Sequence, residues 1–146
     1  MTRPRYETEE DRERENGVAH RFEQYYSSTK TKVRFEKLEF GHRADYIIID
    51  DDLPVMYVEI KNRTCTSQQY DTYTISKNKL LSLSKLAESE NVNAVLVVQW
   101  TDQAGYIDVD RYLRSASDSV GGRYDRNDSH DEELMSNAPI SLFQFF

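Results

Sequence analysis

The chain has a single cysteine, Cys65, so it can form no internal disulfide and reads as a protein of a reducing compartment. One cysteine also excludes a CxxC-type metal site. Three scattered histidines, His20, His42 and His130, make a poor set of zinc ligands. No long apolar run is present. The longest, Ala94–Val98, falls far short of the ~20 residues that cross a bilayer. The N-terminal stretch MTRPRYETEEDRERENG has no apolar segment of the kind a secretory signal needs. There is no internal repeat and no low-complexity linker. These absences predict a cytoplasmic protein that meets no membrane. What remains is a lean globular composition, 38% hydrophobic over 146 residues, the length of one domain. Ten Tyr, six Phe and one Trp supply bulk for a core.

The net charge is −7, which speaks against a general polyanion binder, but the charge lies in blocks. Residues 27–43 carry +3, residues 44–60 carry −5 with no base at all, residues 61–85 carry +4, and residues 86–146 carry −7. Solvated surface charge is the ordinary meaning of such blocks. The pattern also suits an acidic, metal-binding centre between two basic stretches that face a polyanion.

The periodicity predicts a helix over 9–27, with Val18, Phe22 and Tyr25/Tyr26 at helical spacing. Strands are expected at 32–40, 44–50 and 55–62, the last two apolar on both faces and hence central in a covered sheet. Residues 63–73 read as a polar loop and 76–90 as a helix whose Leu80, Leu83, Leu86 and Ala87 share a face. A hydrophobic strand follows at 94–100 and a short one at 106–109. Residues 114–137 read as a long polar loop, and 139–146 as a strand or packed tail. The order is α-β-β-β-α-β-β, with a mixed sheet. One domain spans 1–146, its core at about 15–110 and a polar loop and tail over 111–146.

The hairpin from Asp45 to Lys61 carries the chemistry. Its register decides whether Asp45 meets Glu59. A two-residue loop would pair Asp45 with Ile60 and send Glu59 to the opposite face. A three-residue loop, Asp51–Leu53, would pair Asp45 with Glu59 and place Asp45, Glu59 and Lys61 on one face. Two carboxylates so close repel unless a cation lies between them, and a hard divalent ion such as Mg²⁺ suits oxygen ligands. An ammonium at Lys61 could hold or deprotonate an attacking water, or neutralise a scissile phosphate. The plain alternative is a salt bridge of Lys61 with Glu59 or Asp45.

The block ADYIIIDDDLPVMYVEIKNR resembles the PD-(D/E)XK nuclease superfamily, over roughly residues 15–100. The later stretches SQQYDTYTISKNKLLSLSKLAESENVNAVLVVQWTD, GGRYDRND and APISLF look like a phage-encoded branch of it. The resemblance implies a restriction-endonuclease-like α/β core, a central mixed β-sheet flanked by helices in the order α-β-β-β-α-β. It implies that Asp45 and Glu59 bind the metal with the Ile60 carbonyl, and that Lys61 is the motif lysine. Ala44 stands where the motif's name has proline. Many members add an acid from the first helix, for which Glu23 is the candidate, and a polar residue from the next, for which Lys79 is the candidate and Lys77 the alternative.

The expected activity is Mg²⁺-dependent hydrolysis of DNA phosphodiesters, with Mn²⁺ substituting, by a phage-encoded enzyme that recognises structures or ends and works in the host cytoplasm. Lys30, Lys32, Arg34, Lys77 and Lys85 are candidate DNA-backbone contacts. Gln69, Tyr70 and Tyr73 are candidates to line a groove. A homodimer is expected, with the aromatic tail Phe143–Phe146 as interface. His20 and His42 read as surface or packing residues, and Arg123 and Arg126 as weak candidates for phosphate contact. The rival expectation is a catalytically silent nucleic-acid-binding or protein-interaction module on the same fold.

Overall fold

The computed structural model describes residues 8–27, 33–39, 41–122 and 132–146. The candidate contacts Lys30, Lys32, Arg123 and Arg126 lie outside these residues. Helix α1 (Glu9–Ser27) opens with a capping box: the Thr8 hydroxyl accepts from Asp11 N–H, and the Asp11 carboxylate accepts from Thr8 N–H. Then come β1 (Val33–Lys37), β2 (Tyr46–Asp50), β3 (Leu53–Asn62), β4 (Thr72–Ser76) and α2 (Lys77–Ser89). They are followed by β5 (Asn93–Gln99), β6 (Ala104–Asp108), α3 (Val109–Ser115), β7 (Ser117–Gly122), β8 (Glu132–Pro139), a short 3-10 turn and β9 (Gln144–Phe145).

Six strands form the central mixed sheet in the order β1-β2-β3-β5-β6-β9, with β3 and β5 parallel. Leaving out β4, which belongs to a second sheet, the order through β5 is the expected α-β-β-β-α-β. One face packs on α1, through Val18, Ala19 and Phe22 against Tyr46, Ile48, Val58, Ile60, Val95 and Val97. The other face packs Tyr57, Ala94, Leu96 and Val98 against Leu80, Leu83 and Leu86 of α2 and Tyr112 of α3. With both faces covered, β3 and β5 carry apolar side chains in succession rather than in alternation.

Three corrections to the sequence reading concern the second sheet and the tail. Residues 114–137 are not simply a loop: β7 and β8 pair antiparallel, and β8 also pairs with β4. The strands are hidden in the sequence because most of their side chains are polar; only Ser136 and Ala138 of β8 are buried in alternation. Gly121 is needed there, since a Cβ would stand 2.5 Å from Met135 Cγ. Residues 63–73 give way at Thr72 to β4. The aromatic tail is not a free interface either. Phe143 is buried in the core against Tyr73 and Trp100, and Phe146 lies among Phe22, Tyr25 and Tyr106.

The β2–β3 hairpin resolves the register by a route the sequence reading did not weigh. The loop has two residues, Asp51 and Asp52, both with positive φ, as a type I′ turn requires. Asp50 pairs with Leu53 and Ile49 with Pro54, but Ile48 pairs with Met56. Val55 is therefore an extra residue, a bulge beside a proline that has no N–H to give to the ladder. The bulge restores the offset of a three-residue loop. Ile47 faces Tyr57 and Tyr46 faces Val58, where the ladder ends; Asp45 lies just before it, its N–H also on the Val58 carbonyl, at the Glu59 end of β3.

Candidate active site

Asp45 lies just before β2 and is tied to β3 at two points. Its N–H donates to the Val58 carbonyl (3.0 Å), and its Oδ2 accepts from Ile60 N–H (2.8 Å). Glu59 sits on the central strand β3, in register with Leu96 of β5, and its residue is only 3% exposed. Two ammoniums converge on it. Lys61 Nζ stands 3.6 Å and Lys79 Nζ 3.4 Å from Glu59 Oε1. Lys79 also donates to the Arg43 carbonyl (3.0 Å), which holds the α2 side chain over the strand. Glu59 Oε2 is buried with no hydrogen-bond partner among the described residues.

These surroundings push the Glu59 carboxyl up to about 7. Burial is the main cause, because a charge in a poorly hydrated place is penalised. The neighbouring Asp45 carboxylate raises it further, and Lys79 and Lys61 pull it back.

A cavity of about 250 Å³ opens here, lined by Asp11, Glu15, Asp45, Glu59, Ile60, Lys61 and Asn62. Of the α1 acids, Glu15 and, one turn before it, Asp11 line this cavity, and Glu23 does not. Glu23 accepts from Phe35 N–H (3.0 Å) and has His20 3.9 Å away. The direction of the chain explains the difference. Helix α1 leads into β1, whose first residue Val33 lies beside Asp50 at the hairpin turn, while Lys37 pairs with Tyr46 near the acids. Only the N-terminal half of α1 reaches that end. Glu15 is buried and pairs with Lys37 (3.1 Å). The sequence signal existed: Glu15, Val18, Ala19 and Phe22 form one helical stripe, and reading it toward the N-terminus ends on Glu15.

The donor set fits a hard divalent cation. It consists of oxygens, one of them the unpartnered Glu59 Oε2, and two carboxylates repel where no cation separates them. No cluster of three or more metal-ligating side chains occurs among the described residues. Two carboxylates and a backbone carbonyl suit an ion that keeps several waters and takes further oxygens from a phosphate, which is the habit of Mg²⁺.

The candidate DNA contacts are spread out. Lys77 is held by Asp118 (2.6 Å), and Arg34 by Glu36 and Asp52 beside the hairpin turn, at the far end from the acids. Lys85 is exposed on α2. Tyr70 and Tyr73 line a second cavity, and Gln69 donates to the Tyr70 hydroxyl (3.3 Å). His42 stacks on Tyr57, and its Nδ1 accepts from Ala44 N–H. Arg63 was not singled out in the sequence, yet it follows Lys61 at the next position on the same side of the strand. No helix among the described residues is long and apolar enough to cross a membrane.

The whole chain, residues 1–146, matches the protein family described as "Phage putative PDDEXK endonuclease". The fold is similar to that of Hjc from Archaeoglobus fulgidus, a Holliday junction resolvase from an archaeal hyperthermophile. That match has a TM-score of 0.50 at 11% identity and covers 85% of each chain. It is also similar to D212, a nuclease from a fusselovirus, with a TM-score of 0.54 at 14% identity over 99% of this chain and 90% of that one. These likenesses establish the restriction-endonuclease-like fold. No curated protein matches the sequence.

Proposed function

The chain belongs to the phage PDDEXK endonuclease family, and from that premise we propose that it is a Mg²⁺-dependent deoxyribonuclease acting on branched or terminated DNA structures. The observation that carries this reading is the buried Glu59 carboxylate, close enough to Asp45 to feel its charge and flanked by Lys61 and Lys79. Asp45, Glu59 and the Ile60 carbonyl would hold the cation, with Mn²⁺ able to replace Mg²⁺. Bound there, a divalent cation supplies Lewis acidity toward a phosphate oxygen and lowers the pKa of a water.

The protein's own groups do the rest. Lys61 is partly exposed and free to turn from Glu59 toward a phosphate or an attacking water, whose position it would fix. Lys79, anchored on the Arg43 carbonyl, is a positioning residue that favours the ionised form of Glu59. Glu15 and Asp11 form the opposite wall of the cavity, in the place where Glu23 was expected to act.

Recognition of structure rather than of a long sequence follows from the architecture. The second sheet shares its core with α2 and α3, which supports reading the described residues as one nuclease domain. A junction resolvase shares the fold, which makes a branched substrate the first to try. A homodimer belongs to the same proposal, since two centres would serve the two strands of a branch; of the aromatic tail, Phe143 is buried in the core and Phe145 and Phe146 stay partly exposed. The acting place would be the host cytoplasm.

The test is a cleavage assay on linear duplex, single-stranded, supercoiled and four-way-junction DNA, with Mg²⁺, Mn²⁺ or EDTA, beside Lys61→Ala. Cutting that needs metal and disappears in Lys61→Ala is the expected result. A folded protein that binds DNA but cuts nothing with either metal would overturn the proposal in favour of a silent binding module.

A further inference from the structure

A second cavity, of about 290 Å³, lies beside the carboxylates and takes no part in the chemistry described so far. It is lined by Arg63, Cys65, Tyr70, Thr72, Tyr73, Thr74, Trp100 and Ile140. Its position is set by β3. Arg63 follows Lys61 by two residues, a step of roughly 7 Å along an extended chain, and its N–H continues the ladder to the Gln99 carbonyl. The Arg63 guanidinium lies over the Tyr73 ring, 4.5 Å from its centroid, and donates to the Thr74 carbonyl (3.1 Å). Tyr73 is close enough to the acid site for the Glu59 charge to act on its hydroxyl. The two cavities share no lining residue and are linked along the chain by Lys61, Asn62 and Arg63.

The lining has a definite chemistry. Three of its residues are aromatic. Tyr70 is largely exposed at the mouth, whereas Tyr73 and Trp100 are 3% and 2% exposed and stand edge to face at 6.0 Å. The Tyr73 hydroxyl is buried and has no hydrogen-bond partner among the described residues. Arg63 has guanidinium N–H groups beyond the one on Thr74. The strand that brings Thr72 and Thr74 is an edge of the second sheet, and edge strands carry main-chain donors and acceptors outside the ladder. Flat apolar walls, a buried unpaired hydroxyl and a cation at the rim match a planar heteroaromatic group with polar edges, attached to an anion. A duplex keeps its bases stacked and paired, so such a group is available only where a nucleotide is unpaired.

We propose that this cavity receives one unpaired nucleobase of the substrate, next to the phosphate that is cut, with Tyr70 stacking on it and Arg63 bound to its phosphate. The proposal rests on the nuclease reading and deepens it. It makes the substrate a DNA with an unpaired nucleotide at the cleavage point, as at a flap, a frayed end or an opened branch.

The chain carries two built-in probes of this cavity, its single tryptophan and its single cysteine. The intact protein in EDTA, where no cutting occurs, would be titrated with two DNAs of equal length: a blunt duplex and a duplex with a short single-stranded flap. Trp100 emission and the rate at which a maleimide labels Cys65 would be read alongside gel-shift binding. The flap DNA should change Trp100 emission saturably and slow Cys65 labelling at least fivefold, and the blunt duplex should do neither. Tyr70→Ala, at an exposed position whose loss the fold tolerates, should weaken flap binding roughly tenfold and leave blunt-duplex binding unchanged.

Flap DNA that binds by gel shift while both probes stay silent would overturn the cavity proposal and leave the nuclease reading intact. So would equal responses to both DNAs. Failure to bind either DNA, together with failure to cut, would overturn both.

Discussion

Replacing Glu59 by glutamine should make the metal-free protein more stable at pH 8 while destroying its activity. The Glu59 carboxyl ionises near 4.5 in an unfolded chain and near 7 in the fold. Below pH 4.5 it is protonated in both states and costs nothing. Between 4.5 and 7 the unfolded state gives up its proton first, so stability falls as pH rises, and above 7 the full penalty is present. At ~1.4 kcal/mol per pKa unit the gap is worth about 3 kcal/mol. Glutamine removes the titration. It also loses the two lysine contacts, but Lys61 and Lys79 are partly exposed and can turn their ammoniums to water, so this offset is small. The expected gain is about 1–3 kcal/mol at pH 8, shrinking below about 1 kcal/mol at pH 5. Urea unfolding in EDTA at both pH values, followed by circular dichroism, measures it. Saturating Mg²⁺ or Mn²⁺ should then stabilise the wild type and not the variant. Equal or lower stability of Glu59→Gln at pH 8, or a difference that does not change with pH, would refute the reasoning.

Other expectations separate the roles of neighbouring groups. Lys61→Ala should lower cleavage by about 10²–10⁴-fold while Mn²⁺ binding by calorimetry persists. Glu15→Gln should slow cleavage by roughly tenfold or more with little change in stability. Glu23→Ala should do the reverse, costing about 1 kcal/mol in urea through loss of the Phe35 N–H bond and leaving the rate near wild type. Lys79→Met removes a charge that lowers the Glu59 pKa, so the acid limb of the pH–rate profile should move to higher pH. If the substrate meets Lys61 and Arg63 as its main cations, binding should fall with salt at a log–log slope of about −2. A slope of about −6 or steeper would mean that other cations carry the contact.

The hairpin and the two helices were legible in the sequence because their burial is periodic. β2 and β3 carry apolar side chains on both faces, and α2 places Leu80, Leu83 and Leu86 on one stripe. The offset that brings Asp45 toward Glu59 was legible only as a condition on loop length. The condition was met differently, by a two-residue turn and a bulge at Val55, since local sequence does not distinguish a longer turn from a shorter turn plus a bulge. Glu15 was missed because a helical stripe does not tell which end faces the site; that depends on how α1 turns into β1. The second sheet was missed because polar strands exposed on one side imitate a loop. Tyr70 and Tyr73 were candidates to line a groove, but their meeting with Arg63 and Trp100 was beyond reach for another reason. They are brought together from β3, β4 and β5, three elements whose adjacency no local pattern records.

Two lysines on one carboxylate raise the question of why one would not suffice. Glu59 owes its place to β3, the strand that pairs with both β2 and β5, and that rigidity is what fixes a ligand. The same burial makes its charge expensive, so a compensating cation must stay near. A lysine that also serves the substrate cannot stay, because turning toward a phosphate takes its ammonium away from the acid. Lys61 projects from the same face two residues on and is the more exposed of the pair, which suits the mobile part. Lys79 comes from α2, the helix covering that face, and its ammonium is pinned by the Arg43 carbonyl. The division lets Glu59 remain ionised while Lys61 is engaged elsewhere. It also explains why a residue sixteen or more positions downstream of the hairpin belongs to the same centre: charge compensation on a buried strand has to come from whatever packs on it.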